Sequence, residues 1–236
     1  MALISDPYFK MKHLNHAKND RNSQKLFMSK MCFEKDDMFS FYSSSLSSVQ
    51  VVEDEKKLDW PSNFKPVNTA LYCCCDGLVV ILVFDKLHRQ LVLWNPSTGE
   101  SMALPHPNFP QRSCVFGLGY DATSDDYKIL AVNLNDMGQE ASGEIFALKS
   151  GSWKKICQYP ADIHRLIGFK DCGMNSLAFV HGAFHWVGLS GCYTIVSFNI
   201  SNEVYGEIPL PEHMCNILDA RFPEYVRGSQ SMVFQY

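Results

Sequence analysis

From Leu71 to Pro211 the chain alternates short apolar runs with clusters of turn residues. The runs are Leu78–Phe84, Leu91–Trp94, Cys114–Tyr120, Tyr127–Val132, Glu144–Leu148, Trp153–Cys157, Ser176–Val180, Ala183–Val187, Thr194–Ile200 and Val204–Ile208. Each has the length of a strand, and most are rich in β-branched or aromatic residues. Between them stand Asn95-Pro96-Ser97-Thr98-Gly99, Asp121–Asp126, Lys149-Ser150-Gly151-Ser152, His181-Gly182 and Ser201-Asn202. These residue types accept tight turns and left-handed backbone. Weaker strand signals lie at Leu26–Met28, Met31–Phe33, Met38–Tyr42 and Val49–Val52, with Ser43–Ser48 read as a turn. No long helical stripe interrupts residues 26–210. The pattern predicts an all-β sandwich, barrel or propeller.

An internal repeat favours the propeller. Shifted by 104 residues, Trp94-Asn95-Pro96-Ser97 meets Phe198-Asn199-Ile200-Ser201, Leu104-Pro105 meets Ile208-Pro209, and Pro107 meets Pro211. That shift is twice the roughly 50-residue period of kelch-type blades. A degenerate middle copy falls at Ile145-Phe146-Ala147-Leu148 before Ser152-Trp153. A blade is too small to bury its faces alone, so stacked blades bury them together. Trp94, Trp153, Trp186 and Phe198 are expected to fill the gaps between blades.

The ends read differently. Ser5-Asp6-Pro7 is a helix-start signal, and Tyr8, Met11 and Leu14 follow on one stripe, so residues 1–17 are expected to be helical. Residues 18–65 read as linker and first strands, 66–213 as the β domain, and 214–236 as an irregular tail.

Composition narrows the class. Of 236 residues 46% are hydrophobic and 19% charged, enough apolar material for a buried core. The net charge of -4 argues against nucleic acid as the partner. Residues 1–35 carry seven Lys/Arg against three acids, so the rest of the chain is acidic. The longest apolar run, Leu78–Phe84, falls well short of the ~18 residues a spanning helix needs. No signal peptide is evident at the start. Nine cysteines, an odd number, fit a reducing compartment better than a disulfide framework. A cytoplasmic or nuclear protein with no membrane partner is expected.

The search for chemistry excludes more than it finds. Gly117-Leu118-Gly119-Tyr120-Asp121-Ala122 matches G-x-G-x-x-A, but Thr123–Asp126 turns into another strand where a dinucleotide site requires a helix. Cys73-Cys74-Cys75 lies on a strand, where neighbours point to opposite faces and cannot converge on one ion. His181 and His185 have the spacing of a helical zinc pair, yet Gly182 and Phe184-His185-Trp186-Val187 read as turn and strand. No G-x-S-x-G elbow and no local triad occur. Neither cofactor nor metal is expected, and no catalytic residue is assigned.

Two sets of motifs carry a resemblance. Leu3-Ile4-Ser5-Asp6-Pro7-Tyr8-Phe9 with His13-Leu14 resembles the last part of plant F-box motifs. Cys75-Asp76-Gly77-Leu78, Leu93–Thr98, Gly117–Asp121, Asp126-Tyr127-Lys128-Ile129, Gly182–Trp186, Ile195–Asn199 and Gly206–Pro211 resemble, in order, the kelch-like F-box-associated domain. The layout is similar to S-locus and defence-regulating F-box proteins. Most of the F-box is missing, so residues 1–17 read as its C-terminal remnant.

The resemblance implies a division of labour. An F-box holds a Skp-family adaptor on a cullin ubiquitin ligase, the propeller-like domain holds a protein substrate, and other subunits transfer ubiquitin. Leu3, Ile4, Pro7, Phe9, His13 and Leu14 are the adaptor-proximal residues on this reading. Adaptor binding is expected to be weak without the rest of the F-box. Substrate contacts are expected on the long connectors Pro105–Ser113, Asn133–Gly143 and Tyr159–Asn175, with His106, Asn108, Phe109, Arg112, His164 and Arg165 as candidates. The alternatives are a ligase-independent interaction module or decoy and, third, an enzyme on an all-β scaffold.

Overall fold

The structure is a computed structural model. It describes residues 25–31, 39–45, 56–60, 68–84, 89–108, 114–133, 142–156, 165–166, 176–190 and 192–221. These form two compact units, 1–104 and 105–236.

Unit 1 holds two antiparallel sheets. The first runs β1 (Lys25–Met31), β2 (Phe39–Ser45), β3 (Lys56–Leu58). The second runs β4 (Asn68–Cys75), β5 (Leu78–Phe84), β6 (Arg89–Trp94), β7 (Ser101–Leu104), each strand beside the next. Phe41, Val79, Ile81, Val83, Val92 and Trp94 form their common core, with Phe27, Leu58, Trp60 and Leu71 packed against it. The Phe41 ring lies 5.0 Å from those of Phe27 and Trp60 and 5.4 Å from that of Trp94. Strand β4 bulges at Tyr72, where the register shifts between Leu71 and Cys73.

Unit 2 repeats the plan. One sheet runs β8 (Cys114–Asp121), β9 (Asp126–Asn133), β10 (Gly143–Ala147), β11 (Ser152–Ile156). The other runs β12 (Arg165–Leu166), β14 (Ala183–Ser190), β15 (Cys192–Asn199), β16 (Val204–Pro209), with β13 (Ala178–Val180) also on β14. Their shared core contains Val115, Leu130, Val132, Ile145, Leu177, Phe184, Trp186, Val196 and Phe198. Helix α1 (Glu212–Arg221) follows β16.

The repeat is visible as geometry. Asn95 Oδ1 accepts the amides of Ser97 (3.0 Å) and Thr98 (3.4 Å), and Asn199 Oδ1 accepts those of Ser201 (2.9 Å) and Asn202 (3.2 Å). The backbone bonds Gly99 N to Asn95 O, Gly151 N to Ala147 O and Glu203 N to Asn199 O are each 2.9 Å. Positions 99, 151 and 203 all have positive φ, so the true period is 52 residues. Trp94, Phe146 and Phe198 hold the equivalent buried site just before the tip. The middle tip lacks Asn but donates the Ser150 hydroxyl to Ala147 O instead (3.2 Å). Asp76-Gly77 and His181-Gly182 are a second repeated device, each a two-residue hairpin turn with both φ values positive.

Trp153 packs its ring 5.3 Å from that of Phe146, its cross-strand neighbour. Two expectations change. Arg165 is not in a connector, because it pairs with Leu189 as part of β12. The tail placed at 214–236 is not irregular throughout, because α1 occupies its start. Pro211 O accepts the amides of Met214 (2.9 Å) and Cys215 (3.2 Å), and Cys215 and Leu218 pack with Leu210 and Val187 around Tyr193. The helix expected within residues 1–17 and the strand at Val49–Val52 lie outside the described residues.

Candidate interaction face

Antiparallel order gives unit 2 two unlike ends. The short turns 122–125, 148–151, 181–182 and 200–203 all close strands on one end. Side chains bolt the two sheets together there. Asp121, at the end of β8 and 1% exposed, sits 2.7 Å from Lys128 Nζ. It also accepts the hydroxyls of Ser201 (2.6 Å) and Ser124 (2.7 Å) and the amide of Thr123 (3.0 Å). Lys128 Nζ in turn donates to Ile200 O (3.1 Å). Burial by itself raises the Asp121 pKa. The donors from Lys128, Ser201, Ser124 and Thr123 outweigh it and hold the carboxyl well below the usual range.

The same end explains the glycine motif. A Cβ on Gly117 would lie 2.6 Å from the Phe184 ring, and one on Gly119 2.5 Å from the Phe179 ring. Leu177 N donates to Phe116 O (2.8 Å) beside them. The glycines let the second sheet approach β8, and β8 feeds the turn into β9 with no helix N-terminus for a phosphate.

The opposite end carries the strand ends that flank the three long connectors, together with α1. Pro105–Asn108 runs along the first sheet toward that end, from Trp153 beside the short turns to Glu144. Trp153 Nε1 donates to Pro105 O (2.8 Å). Glu144, 4% exposed on β10, accepts the Asn108 amide (3.0 Å) on one oxygen and Asn108 Nδ2 (2.9 Å) on the other. Burial, then the Glu144 charge, push the neighbouring Cys114 thiol up to about 12. Glu144→Ala is expected to cost about 2 kcal/mol, the scale of hydrogen bonds to a charged group. Urea unfolding measures the loss, and faster exchange of the Asn108 amide localises it.

The predicted site residues separate accordingly. His106 and Asn108 lie together on the fastened segment and are exposed, but the Asn108 amide group is already engaged by Glu144. Arg165 stands apart on β12. Phe109, Arg112 and His164 lie outside the described residues, as do Leu3, Ile4, Pro7, Phe9, His13 and Leu14. The sequence reading missed Glu144, which looked like an ordinary strand residue, and α1, whose only signal was Pro211-Glu212 opening a short Cys215/Leu218 stripe.

Among the described residues no group of three His, Cys, Asp or Glu is placed to hold a metal ion. Cys73 is buried and Cys74 exposed, on alternate faces of β4, and burial raises both thiols. His181 has φ 49° in its turn, while His185 pairs with Ala178 in the sheet.

Comparison with known proteins places this architecture. A profile of the F-box associated beta propeller domain matches residues 28–236, taking in the second half of β1, β2, β3 and α1. The putative F-box protein At3g17490 of Arabidopsis thaliana is 32% identical over 67% of this chain and 39% of its own length. F-box/kelch-repeat protein At3g23880 of the same plant is 25% identical over 89% of this chain and 57% of its own length. F-box protein CPR1, also from Arabidopsis thaliana, is 28% identical over 91% and 54%. The chain spans 39%, 57% and 54% of the lengths of these three relatives, under two thirds of each. In fold it is similar to TolB from Acinetobacter baumannii, with TM-score 0.50 and 9% identity over 81% of this chain and 43% of that one. Domains of this kind are characteristically non-catalytic scaffolds. The profile covers most of the chain. The chain belongs to the F-box associated beta propeller domain family.

Proposed function

We propose that this chain is the target-binding part of a Skp-cullin-F-box ubiquitin ligase working in the cytoplasm or nucleus. The observation that carries the reading is the match of residues 28–236 to the F-box-associated domain, among relatives named as F-box proteins. The geometry of unit 2 supports it. One end is locked by short turns and the Asp121 cluster, and the other carries the strand ends that lead into the long connectors, with Asn108 held there by Glu144. A stiff body with binding loops at one end suits a component that holds a target near ubiquitin-loaded enzyme. Such holding raises effective concentration and needs no chemistry of its own.

The test joins the chain to a complete F-box and follows a protein that proximity labelling with the chain enriches in plant cells. The expected result is a shortened half-life for that protein, restored when cullin activation is inhibited. A partner that stays bound while its half-life is unchanged would assign the chain to the ligase-independent interaction modules.

A further inference from the structure

The outer edges of the two sheets in unit 2 are built differently. β11 closes the first sheet, and its exposed positions are Ser152, Lys154 and Lys155. Lysines on an edge strand discourage another chain from adding to it. β16 closes the second sheet and pairs with β15. Among the described residues no strand lies on its outer side.

The side chains of β16 alternate. Tyr205 turns inward and stacks against Phe198 at 4.8 Å and Trp186 at 6.1 Å. Val204 and Ile208 point to the other face and are 56% and 49% exposed, with Gly206 between them. Glu207 lies on the Tyr205 side and is exposed. Acids outnumber bases along this stretch: from Glu203 to Arg221 the chain carries Glu203, Glu207, Glu212 and Asp219 against Arg221 alone. Glu203 is matched by Lys154 at 2.6 Å, while Glu207 and Glu212 face solvent.

We propose that β16 receives an extended segment of a partner protein as an added strand, and that this segment alternates β-branched with basic residues. Backbone groups on the outer side of β16 supply the hydrogen bonds of strand addition, and side-chain alternation supplies the selectivity. Residues opposite Val204, Gly206 and Ile208 face the apolar side, where β-branched side chains fit. The residue opposite Glu207 faces the acidic side, where Lys or Arg is favoured. Pro209 ends the pairing because it has no amide hydrogen. Six residues at ~3.3 Å each give an edge of about 20 Å, room for a strand of about five residues. The inference rests on the sheet and its charges and is independent of the ligase reading.

The probe is a fluorescein-labelled Val-Lys-Val-Lys-Val-Lys peptide, with the Glu-for-Lys peptide as control. Binding to the whole chain is read by anisotropy, and its location by amide exchange. The basic peptide is expected to bind at least about tenfold more tightly than the acidic one and to protect amides of β16. Ile208→Lys and Glu207→Lys, both at exposed positions, are each expected to weaken binding about tenfold while leaving the urea midpoint in place. Equal binding of the two peptides, no binding, or protection confined to α1 or the connectors overturns the proposal. A concentration-dependent dimer abolished by Ile208→Lys also overturns it, by assigning the edge to a second copy of the chain.

Discussion

Gly117→Ala is expected to destabilise unit 2 by about 3 kcal/mol, the upper range for overpacking a core. Alanine in a strand ordinarily gains up to ~1 kcal/mol over glycine, because it restricts the unfolded chain. A loss therefore measures the clash directly. The new methyl group would stand 2.6 and 2.7 Å from two carbons of the Phe184 ring and 3.0 Å from the Leu177 Cβ. Phe184 has no exposed surface and sits in the core shared by the two sheets, so its ring has nowhere to move. Gly119→Ala meets the Phe179 ring at a similar distance. Phe179 is only partly buried, and its ring can swing toward solvent, so the expected cost is nearer 1 kcal/mol. Urea midpoints of the two variants should fall in that order. Combining Gly117→Ala with Phe184→Leu should lose less than the sum of the single losses, since the smaller side chain makes room for the methyl group. Equal losses at 117 and 119 would mean that the approach of the sheets is not what limits these positions.

Asp121→Asn is expected to cost about 3 kcal/mol, because it leaves the ammonium of Lys128 nearly buried without its counter-charge. The Lys128 side chain is 12% exposed and that of Asp121 1%. The pH dependence has a definite sign. The carboxyl pKa in the folded protein lies well below its value in the unfolded chain, about 3.9. The unfolded state therefore takes up a proton first as pH falls. The contribution is complete above about pH 5, declines as pH drops through the unfolded value, and is gone below the folded one. Acid titrations of stability should show a shallower fall over that window in Asp121→Asn than in the parent. Ser201→Ala removes one 2.6 Å donor and leaves the ion pair in place, so its loss should be smaller. Identical acid limbs for Asp121→Asn and the parent would show that this carboxylate is not what couples the sheets to pH.

Much of the strand pattern was legible because local chemistry dictates it. Leu78–Phe84 is a strand with both faces covered, and an uninterrupted apolar run is how such a strand reads. The tips at Asn95 and Asn199 could be matched by eye because their side chains cap their own turns. The middle tip was harder, since Ala147 occupies the Asn position and the Ser150 hydroxyl closes the turn. Its backbone geometry, which fixes the 52-residue period, leaves no trace in residue identity. β12 escaped notice because two residues are too few for any periodicity. α1 escaped because its packing stripe is short, with Cys215 and Leu218 set against Tyr193.

Functional positions divide along the same line. Sequence alone determined that this chain builds successive antiparallel sheets, that Gly117-x-Gly119 ends a strand and does not open a nucleotide site, and that the cysteine triplet is a strand segment. Those conclusions depend on spacing between near neighbours, where the two-residue period of a strand decides which side chains share a face. The tertiary structure decided which partners the residues meet. Gly117 and Gly119 are needed because rings from Phe184 and Phe179, some sixty residues onward, press on β8. Asp121 reads as a turn residue until Ser201, eighty positions away, donates to it. Glu144 is an unremarked strand residue until the Asn108 segment folds across it. Contacts of that range depend on how sheets stack, and stacking follows from the summed burial of many side chains, which no local pattern encodes.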